Sequence, residues 1–190
     1  MEYKIEIDTN KLKTAIKKQK HIINKCDLNS SLSCLNFKAK FNTLTLIATD
    51  GNILVTDQLG QNLEFNDASF EMLINVKDLK PLELHLKKTK MIDSVLVFDP
   101  DQKTVTINNK VTLNSSPWNY PNVMNLIPEK RTHKLGLSLP VLEKLVKTLK
   151  ADNAKTVALE YETDNQSALK ITLNGTDHVM FMPAQLKGEN

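Results

Sequence analysis

The sequence predicts an α+β fold built from one repeated unit. Along its 190 residues the order strand, helix, three strands occurs three times. Alternating apolar residues indicate the strands, and apolar residues three and four positions apart indicate the helices. The chain is long enough to bury a sizeable core in one or two domains.

The first repeat begins with an alternating strand over residues 3–7, and Asp8 or Thr9 is a plausible cap for the helix that follows. The candidate buried residues of this helix are Leu12, Ile16, Ile22 and Ile23. Strands are then expected over residues 33–41, 44–49 and 53–59. The Asp50-Gly51 pair between the last two strands is the strongest short hairpin signal in the chain.

The second repeat has a strand at residues 70–76 and a helix around residues 77–88. Pro81 fits the first turn of this helix better than its interior. Three strands follow, over residues 94–98, 104–108 and 111–114. Asn108-Asn109 predicts a tight turn between the last two.

The third repeat stands alone after an interruption. Residues 116–131 contain three prolines and no clear period, which predicts an ordered linker. Its apolar residues must pack against something, and they are Trp118, Tyr120, Leu126 and Ile127. A strand is expected at 133–137, then a helix from the Ser138 cap to about 150 with Pro140 in its first turn, and strands at 156–162, 168–173 and 178–182. The predicted organisation is a two-repeat domain over 1–115, the linker over 116–131 and a half domain over 132–190.

Charge is nearly balanced over the whole chain but unevenly distributed. The 25 basic and 22 acidic residues give a formal net charge of +3, which does not by itself establish a polyanionic partner. The lysines concentrate in two runs, Lys11, Lys13, Lys17, Lys18, Lys20 and Lys25, and Lys87, Lys88 and Lys90. Such runs are either solvated helix faces or contacts to nucleic acid, and composition leaves both readings open.

The compartment is expected to be the cytoplasm. Two cysteines, Cys26 and Cys34, imply no disulfide framework and favour a reducing environment. The N-terminus lacks the apolar core of a signal peptide. No apolar run approaches the length that spans a membrane, so no membrane partner is expected.

No catalytic constellation is recognisable in the sequence. The four histidines fall in different elements, and neither cysteine has a CxxC partner, so no metal is expected. The chain has no GxSxG motif and no glycine-rich phosphate loop, so no cofactor is expected either. These observations favour a binding or scaffolding protein over an enzyme.

Three motifs then resemble one family, the bacterial DNA polymerase sliding clamp, which is the beta subunit of DNA polymerase III. The family's A-T-D-G-x-R-L hairpin is similar to ATDGNIL at residues 48–54. Its F-P-x-Y-x-x-V-L-P connection is similar to YPNVMNLIP at 120–128, and its M-P-[MV]-R-L strand to MPAQL at 182–186. Each motif alone is weak, but all three occur in the family's order on the expected repeat.

The chain also departs from the family. A bacterial clamp has three domains of two repeats each, whereas this chain has three repeats, resembling the middle domain and half of the last one. Ile53 stands where the family has an arginine after the hairpin glycine. Ala184-Gln185 replaces the terminal Met-Arg pair.

The resemblance implies the DNA-clamp fold, with helices on one face of continuous antiparallel sheets. It also implies a ring around duplex DNA, held by sequence-independent contacts. The lysines expected to face the DNA are Lys11, Lys17, Lys18, Lys87, Lys88, Lys144 and Lys147. In such a clamp the ring tethers a polymerase to its template and performs no chemistry.

The resemblance further implies a pocket for short peptides where the three motifs converge. Its expected residues are Leu35, Thr49, Gly51, Asn52, Ile53, Leu54, Pro121, Asn125, Leu126, Met180, Met182 and Pro183. Several of these taken singly read equally well as ordinary core. The implied partners are duplex DNA, a DNA polymerase and other proteins with clamp-binding peptides, and a clamp loader. The alternative is a clamp-like adaptor or decoy that binds such peptides without forming a ring.

The number of repeats predicts an even-numbered assembly. Family rings contain about twelve repeats, so roughly four chains of three repeats would close one ring. An odd number of repeats per chain requires successive chains to flip, which makes their contacts two-fold. We therefore expect a homodimer or a flipped tetramer and disfavour a trimer.

Overall fold

The computed structural model describes residues 2–23, 30–60, 69–123, 137–151, 158–160, 169–173 and 177–181. The chain forms two compact units, which we call unit 1 (Met1–Leu126) and unit 2 (Ile127–Asn190). Unit 1 contains repeats 1 and 2, and unit 2 contains repeat 3. Each unit is described by itself below.

Repeat 1 consists of β1 (Tyr3–Asp8), α1 (Thr9–Lys20), β2 (Cys34–Lys40), β3 (Thr43–Thr49) and β4 (Leu54–Gly60). Repeat 2 consists of β5 (Phe70–Asn75), α2 (Leu79–Lys88), β6 (Asp93–Asp99), β7 (Thr104–Ile107) and β8 (Val111–Asn114). In unit 2 the described elements are α3 (Leu139–Ala151), β9 (Ala158–Glu160), β10 (Leu169–Leu173) and β11 (Asp177–Phe181). The predicted α+β repeat architecture is confirmed.

The two repeats of unit 1 exchange their first strands. The two antiparallel sheets have the orders β4-β3-β2-β5 and β1-β6-β7-β8. Each sheet therefore holds three strands of one repeat and the first strand of the other. Ile74 of β5 lies opposite Leu35 of β2, and Ile5 of β1 lies opposite Leu96 of β6. Neither repeat completes a four-stranded sheet from its own strands.

One core joins the two sheets. Phe37, Phe70 and Phe98 come from different strands, and Phe98 lies between the other two, with ring centroids 5.8 Å from Phe37 and 5.2 Å from Phe70. Phe37 and Phe98 are completely buried. Burying a large apolar side chain contributes about 1.5–3 kcal/mol, so this cluster fastens the sheets to each other.

The helices lie where the sequence patterns place them. The Asp8 carboxylate accepts a hydrogen bond of 2.7 Å from the Lys11 backbone N–H, so Asp8 is the N-cap of α1. Leu12 and Ile16 are buried as expected. The helix ends at Lys20, so Ile22 lies in the turn that follows and is only half-buried.

The remaining features of the fold that bear on the predicted element bounds are turns. Asn108 and Asn109 both have positive φ angles, 52° and 51°, as expected for a tight hairpin turn. A 3₁₀ turn over Val76–Asp78 delays the start of α2 to Leu79 because the Asn75 side chain accepts the Lys77 backbone N–H. The strand expected at 133–137 falls almost entirely outside the described residues.

Candidate functional site

The hairpin between β3 and β4 has a four-residue loop that is organised by one carboxylate. Asp50 Oδ1 accepts hydrogen bonds from the backbone N–H groups of Ile53 (2.8 Å) and Asn52 (2.9 Å). These bonds hold the pKa of Asp50 below its usual value. Gly51 has a φ of 94°, which favours glycine, although a Cβ there would meet no atom within 4 Å. The loop shape is therefore fixed by local bonds.

The hairpin presents one apolar side chain to solvent. Thr49 is buried, and its hydroxyl accepts a 3.1 Å hydrogen bond from the Gly51 backbone N–H. Ile53 is 51% exposed, whereas Leu54 is half-buried. The hydrogen bonds within the loop fix the backbone that carries the exposed Ile53 side chain.

The chain after β8 is fastened to the edge of the sheet that carries this hairpin. The Ser116 backbone N–H donates to the Leu73 carbonyl at 2.7 Å, and the Leu73 N–H donates to the Ser115 hydroxyl at 3.0 Å. Leu73 belongs to β5, the edge strand of that sheet. Residues 115 and 116 thereby hold the start of the following segment against this edge strand.

Tyr120 brings this segment to the hairpin. Burial raises the pKa of its phenol above the usual value, and the backbone of Thr49 offsets part of that effect. Its hydroxyl is buried beside Thr49 and forms no hydrogen bond of ordinary geometry with any described group. Sequence reasoning placed Tyr120 in the linker and at the start of the connection motif, but did not include it among the pocket residues. The sequence signal for this contact was that Tyr120, as an apolar residue in a linker, must be buried against another part of the protein.

A cavity of about 570 Å³ lies beside Tyr120 and Pro121 on the outer face of the same sheet. Outer-face side chains of β2 and β3, including Lys38 and Thr45, form its other walls. Within unit 1, the hairpin, the segment after β8 and this cavity are therefore placed at one side of a single sheet.

The remaining expected pocket residues are placed differently. Leu35 is completely buried in β2 and presents no surface to a ligand. Met180 lies in β11, where the structure describes the backbone. Outside the described residues lie Asn125, Leu126, Met182 and Pro183.

Three lysines of α1 are exposed, but they are not equivalent. Lys11 and Lys17 are exposed on the helix surface. Lys18 forms an ion pair with Asp57 of β4, whose other oxygen accepts a 2.8 Å hydrogen bond from the buried Gln19 amide. The charge of Lys18 is thus partly neutralised by the protein itself.

A basic groove runs between α1 and α2. It has a volume of about 390 Å³, with Ile16 and Leu86 as its apolar floor. The charged residues that line it are Lys13, Lys17, Lys20, Lys87 and Glu83. The Lys20 ammonium lies 2.7 Å from the Glu83 carboxylate and so links the two helices. Lys88, the last residue of α2, is exposed beside the groove-lining Lys87.

In unit 2, α3 carries Lys144 and Lys147, both exposed. Lys147 lies 3.3 Å from Glu143 one turn earlier, and both side chains are more than 70% exposed. Such a pair contributes little to stability because water screens it.

Within the described part of the chain, no three histidine, cysteine or acidic side chains are grouped so that they could hold a metal ion. None of the helices described is both long enough and apolar enough to cross a membrane.

Comparison with known proteins finds similarity in structure only. No protein-family model and no curated protein matches the sequence. The crystal structure of DNA polymerase III beta subunit from Thermotoga maritima matches with a TM-score of 0.74 and 19% identity, covering 94% of this chain and 49% of that one. The DNA polymerase sliding clamp from Bacillus subtilis matches with a TM-score of 0.75 and 19% identity, covering 98% and 50%.

A third similar structure is a sliding clamp from Pseudomonas aeruginosa bound to griselimycin, with a TM-score of 0.73 and 15% identity. It covers 96% of this chain and 51% of that one. The chain thus spans about half the length of the proteins it resembles. Together with the repeated βαβββ architecture, these matches establish that the chain has the fold of bacterial DNA polymerase III beta sliding clamps over about half of their length.

Proposed function

We propose that this protein is a shortened, non-enzymatic sliding clamp of the cytoplasm. It associates with duplex DNA without sequence preference, and it tethers a DNA polymerase and other replication or repair proteins through a peptide-binding pocket. The observation that carries this proposal is the clamp fold over 94–98% of the chain. We further propose the division into a two-repeat domain over 1–115, a linker over 116–131 and a half domain over 132–190.

The pocket proposal is supported by the ordered hairpin and by Tyr120, which places the linker against Thr49. Exposed Ile53 provides an apolar wall, and Pro121 flanks the adjoining cavity. We expect Asn125 and Leu126 of the same unit to contribute to the pocket, and Met180, Met182 and Pro183 remain predictions from the resemblance. A peptide with a glutamine followed by a Leu/Phe pair should bind the pocket with micromolar affinity, about −8 kcal/mol.

Peptide binding can be tested with one substitution and a matched control. Ile53→Asp should abolish binding of a fluorescent peptide because the complex would bury an unpaired charge. Ile92→Asp makes the same change at a residue that is 80% exposed elsewhere on unit 1, and should bind normally. Equal binding by both variants and the wild type would overturn the pocket assignment.

The DNA proposal is supported by the lysines of α1 and α2 on one face of unit 1. Lys17 and Lys87 line the same groove, whereas Lys18 is engaged by Asp57. Phosphate contacts by lysines give salt-dependent, sequence-independent binding. Lys17 and Lys87 are therefore the most informative residues to reverse.

We expect Lys17→Glu with Lys87→Glu to weaken DNA retention and to reduce the slope of log K against log salt by about 2. The control is Lys4→Glu with Lys40→Glu, which changes the net charge equally. Both control residues are exposed, and each alternates along its strand with core residues, so each faces away from the helices. If the control pair lowers retention as much as the helix pair, the helix face is not the DNA contact.

The adaptor or decoy remains the second candidate function because the chain has half the length of the clamps it resembles. Such a protein would keep the peptide pocket without encircling DNA. A chain that binds peptides but is released from circular DNA at the same rate as from linear DNA would be the adaptor.

A further inference from the structure

The two helices of unit 1 show which positions of the repeated helix are buried when two repeats pack together. In all three helices a leucine precedes another apolar residue by four positions, and these leucines are Leu12, Leu82 and Leu142. The second residues of the pairs in α1 and α2, Ile16 and Leu86, are each 2% exposed and line one inter-helix groove. The equivalent residue of α3 is Val146, which is 48% exposed. A surface that is covered in unit 1 is therefore open in unit 2.

The beginning of the helix shows the same contrast. Thr9, the first residue of α1, is 1% exposed because repeat 2 covers it. Its backbone N–H donates to the Ile92 carbonyl at 2.8 Å, and its hydroxyl lies 2.8 Å from that of Ser94. Leu139, the first residue of α3, is 78% exposed.

The described part of the unit 2 sheet differs from the repeat 2 sheet on the β9 side. In repeat 2, Leu96 and Ile107 lie opposite each other and are completely buried, with the exchanged strand β1 on the far side of Leu96. In unit 2, Leu159 of β9 and Ile171 of β10 likewise lie opposite each other. Ile171 is buried, but Leu159 is 42% exposed. Among the described strands, β9 has a neighbour on one side only.

We propose that Leu139, Val146 and Leu159 form an interface with unit 2 of a second copy of this chain. We call this surface the half-domain face. In unit 1 two βαβββ repeats cover each other reciprocally, β1 on β6 and β5 on β2, so the repeat is complementary to a second repeat of its own kind. The half domain of a second copy is such a repeat.

The proposed contact is two-fold, since each copy supplies the same surface to the other. It joins two half domains into one complete domain, so a pair of chains contains three complete domains. It also pairs the edge of β9, which would otherwise invite uncontrolled strand addition. The proposal adds a defined surface to the even-numbered assembly expected from the clamp-like function, on which it rests.

The first test measures the mass of the full chain by light scattering at micromolar concentration. The wild type should have the mass of two chains of 21.5 kDa each, or of a larger even number of chains. Leu139→Asp and Val146→Asp should each halve the mass because a buried unpaired charge opposes the contact. Ile92→Asp should leave the mass unchanged. Both test residues are largely exposed within one chain, so circular dichroism should show normal folding.

The second test is site-specific cross-linking. Because Ile16 and Leu86 line the same groove, the Val146 residues of two copies should lie near each other. Val146→Cys in a Cys26→Ser background should give a cross-linked dimer with a short bis-maleimide. Ile92→Cys in the same background should not. Cys34 is buried and need not be replaced.

The possible results distinguish a failure of the half-domain face from a failure of the even-numbered assembly. An even-numbered assembly that survives both Asp substitutions and gives no cross-link at position 146 would overturn the half-domain face while leaving the proposed assembly intact. A wild type that is monomeric at every concentration would overturn both, and would mean that a different chain covers this face. Peptide binding by unit 1 is independent of either result.

Discussion

Asp50 shows how one side chain can shape a functional loop. Its carboxylate satisfies two backbone N–H groups that would otherwise face solvent in a tight turn. The Asp-Gly pair at residues 50–51 predicts a hairpin, and the structure has one whose loop is one residue longer than the expected strands at 44–49 and 53–59 allow. The reason is that the aspartate bonds to residues 52 and 53, which extends the turn beyond the glycine.

This geometry predicts an acidic titration for Asp50. Since its folded-state pKa is depressed, the carboxylate stabilises the loop at neutral pH, and that contribution is lost as pH falls through the folded pKa. NMR titration of Asp50 should give a midpoint below the reference value of 3.8. Asp50→Asn, which retains an acceptor, should preserve the loop's chemical shifts at pH 7 better than Asp50→Ala. A midpoint at or above 3.8 would contradict the hydrogen bonding.

At the scale of elements, α1 is tied to β3 and β4 by a polar cluster of Lys18, Gln19 and Asp57. The Gln19 amide donates to the Leu46 carbonyl and to Asp57, both at 2.8 Å. Asp57 also pairs with Lys18. The cluster orients the helix on its sheet and at the same time withholds one lysine charge from other anions.

Replacing Asp57 should separate these two effects. Asp57→Asn keeps an acceptor for Gln19 and releases Lys18, so it should cost less than about 1 kcal/mol of stability and strengthen DNA association. Asp57→Ala removes the acceptor as well and should cost about 1–2 kcal/mol. Urea unfolding and DNA titration of both variants measure the two effects. Unchanged DNA association in Asp57→Asn would exclude Lys18 from the DNA contact.

At the scale of the whole molecule, strand exchange makes repeats 1 and 2 one cooperative unit. Each sheet depends on a strand from the other repeat, and Phe98 contacts phenylalanines of the opposite sheet. A repeat separated from its partner would lose both a strand and a covering surface. Unit 1 should therefore not unfold one repeat at a time.

Phe98→Ala should destabilise unit 1 by about 3–5 kcal/mol through loss of burial and the remaining cavity. Native-state hydrogen exchange should show that amides of β3 and β7 lose protection together and to the same extent. Loss of protection confined to the sheet that contains Phe98 would show that the repeats are energetically separate.

Sequence patterns predicted the repeat order, most element positions, the Asn108-Asn109 turn and the clamp-like motifs, because hydrophobic period, turn residues and caps are local properties of the chain. One site assignment shows the limit of such patterns. Leu35 matches the expected pocket by position, yet it is buried in the core. The ion pair of Lys18 with Asp57 is likewise a long-range contact that no local pattern predicts, and the DNA contact of Lys18 stays a prediction.

Strand pairing and the exposure of each surface depend on how the chain packs in three dimensions. β1 joins β6 across more than eighty residues of sequence, and no local period encodes that contact. The same holds for Tyr120, whose place beside Thr49 depends on the path of the chain after β8. The apolar residues of α3 follow the same pattern as those of α1 and α2, but exposure differs because burial depends on a second repeat that packs against the first.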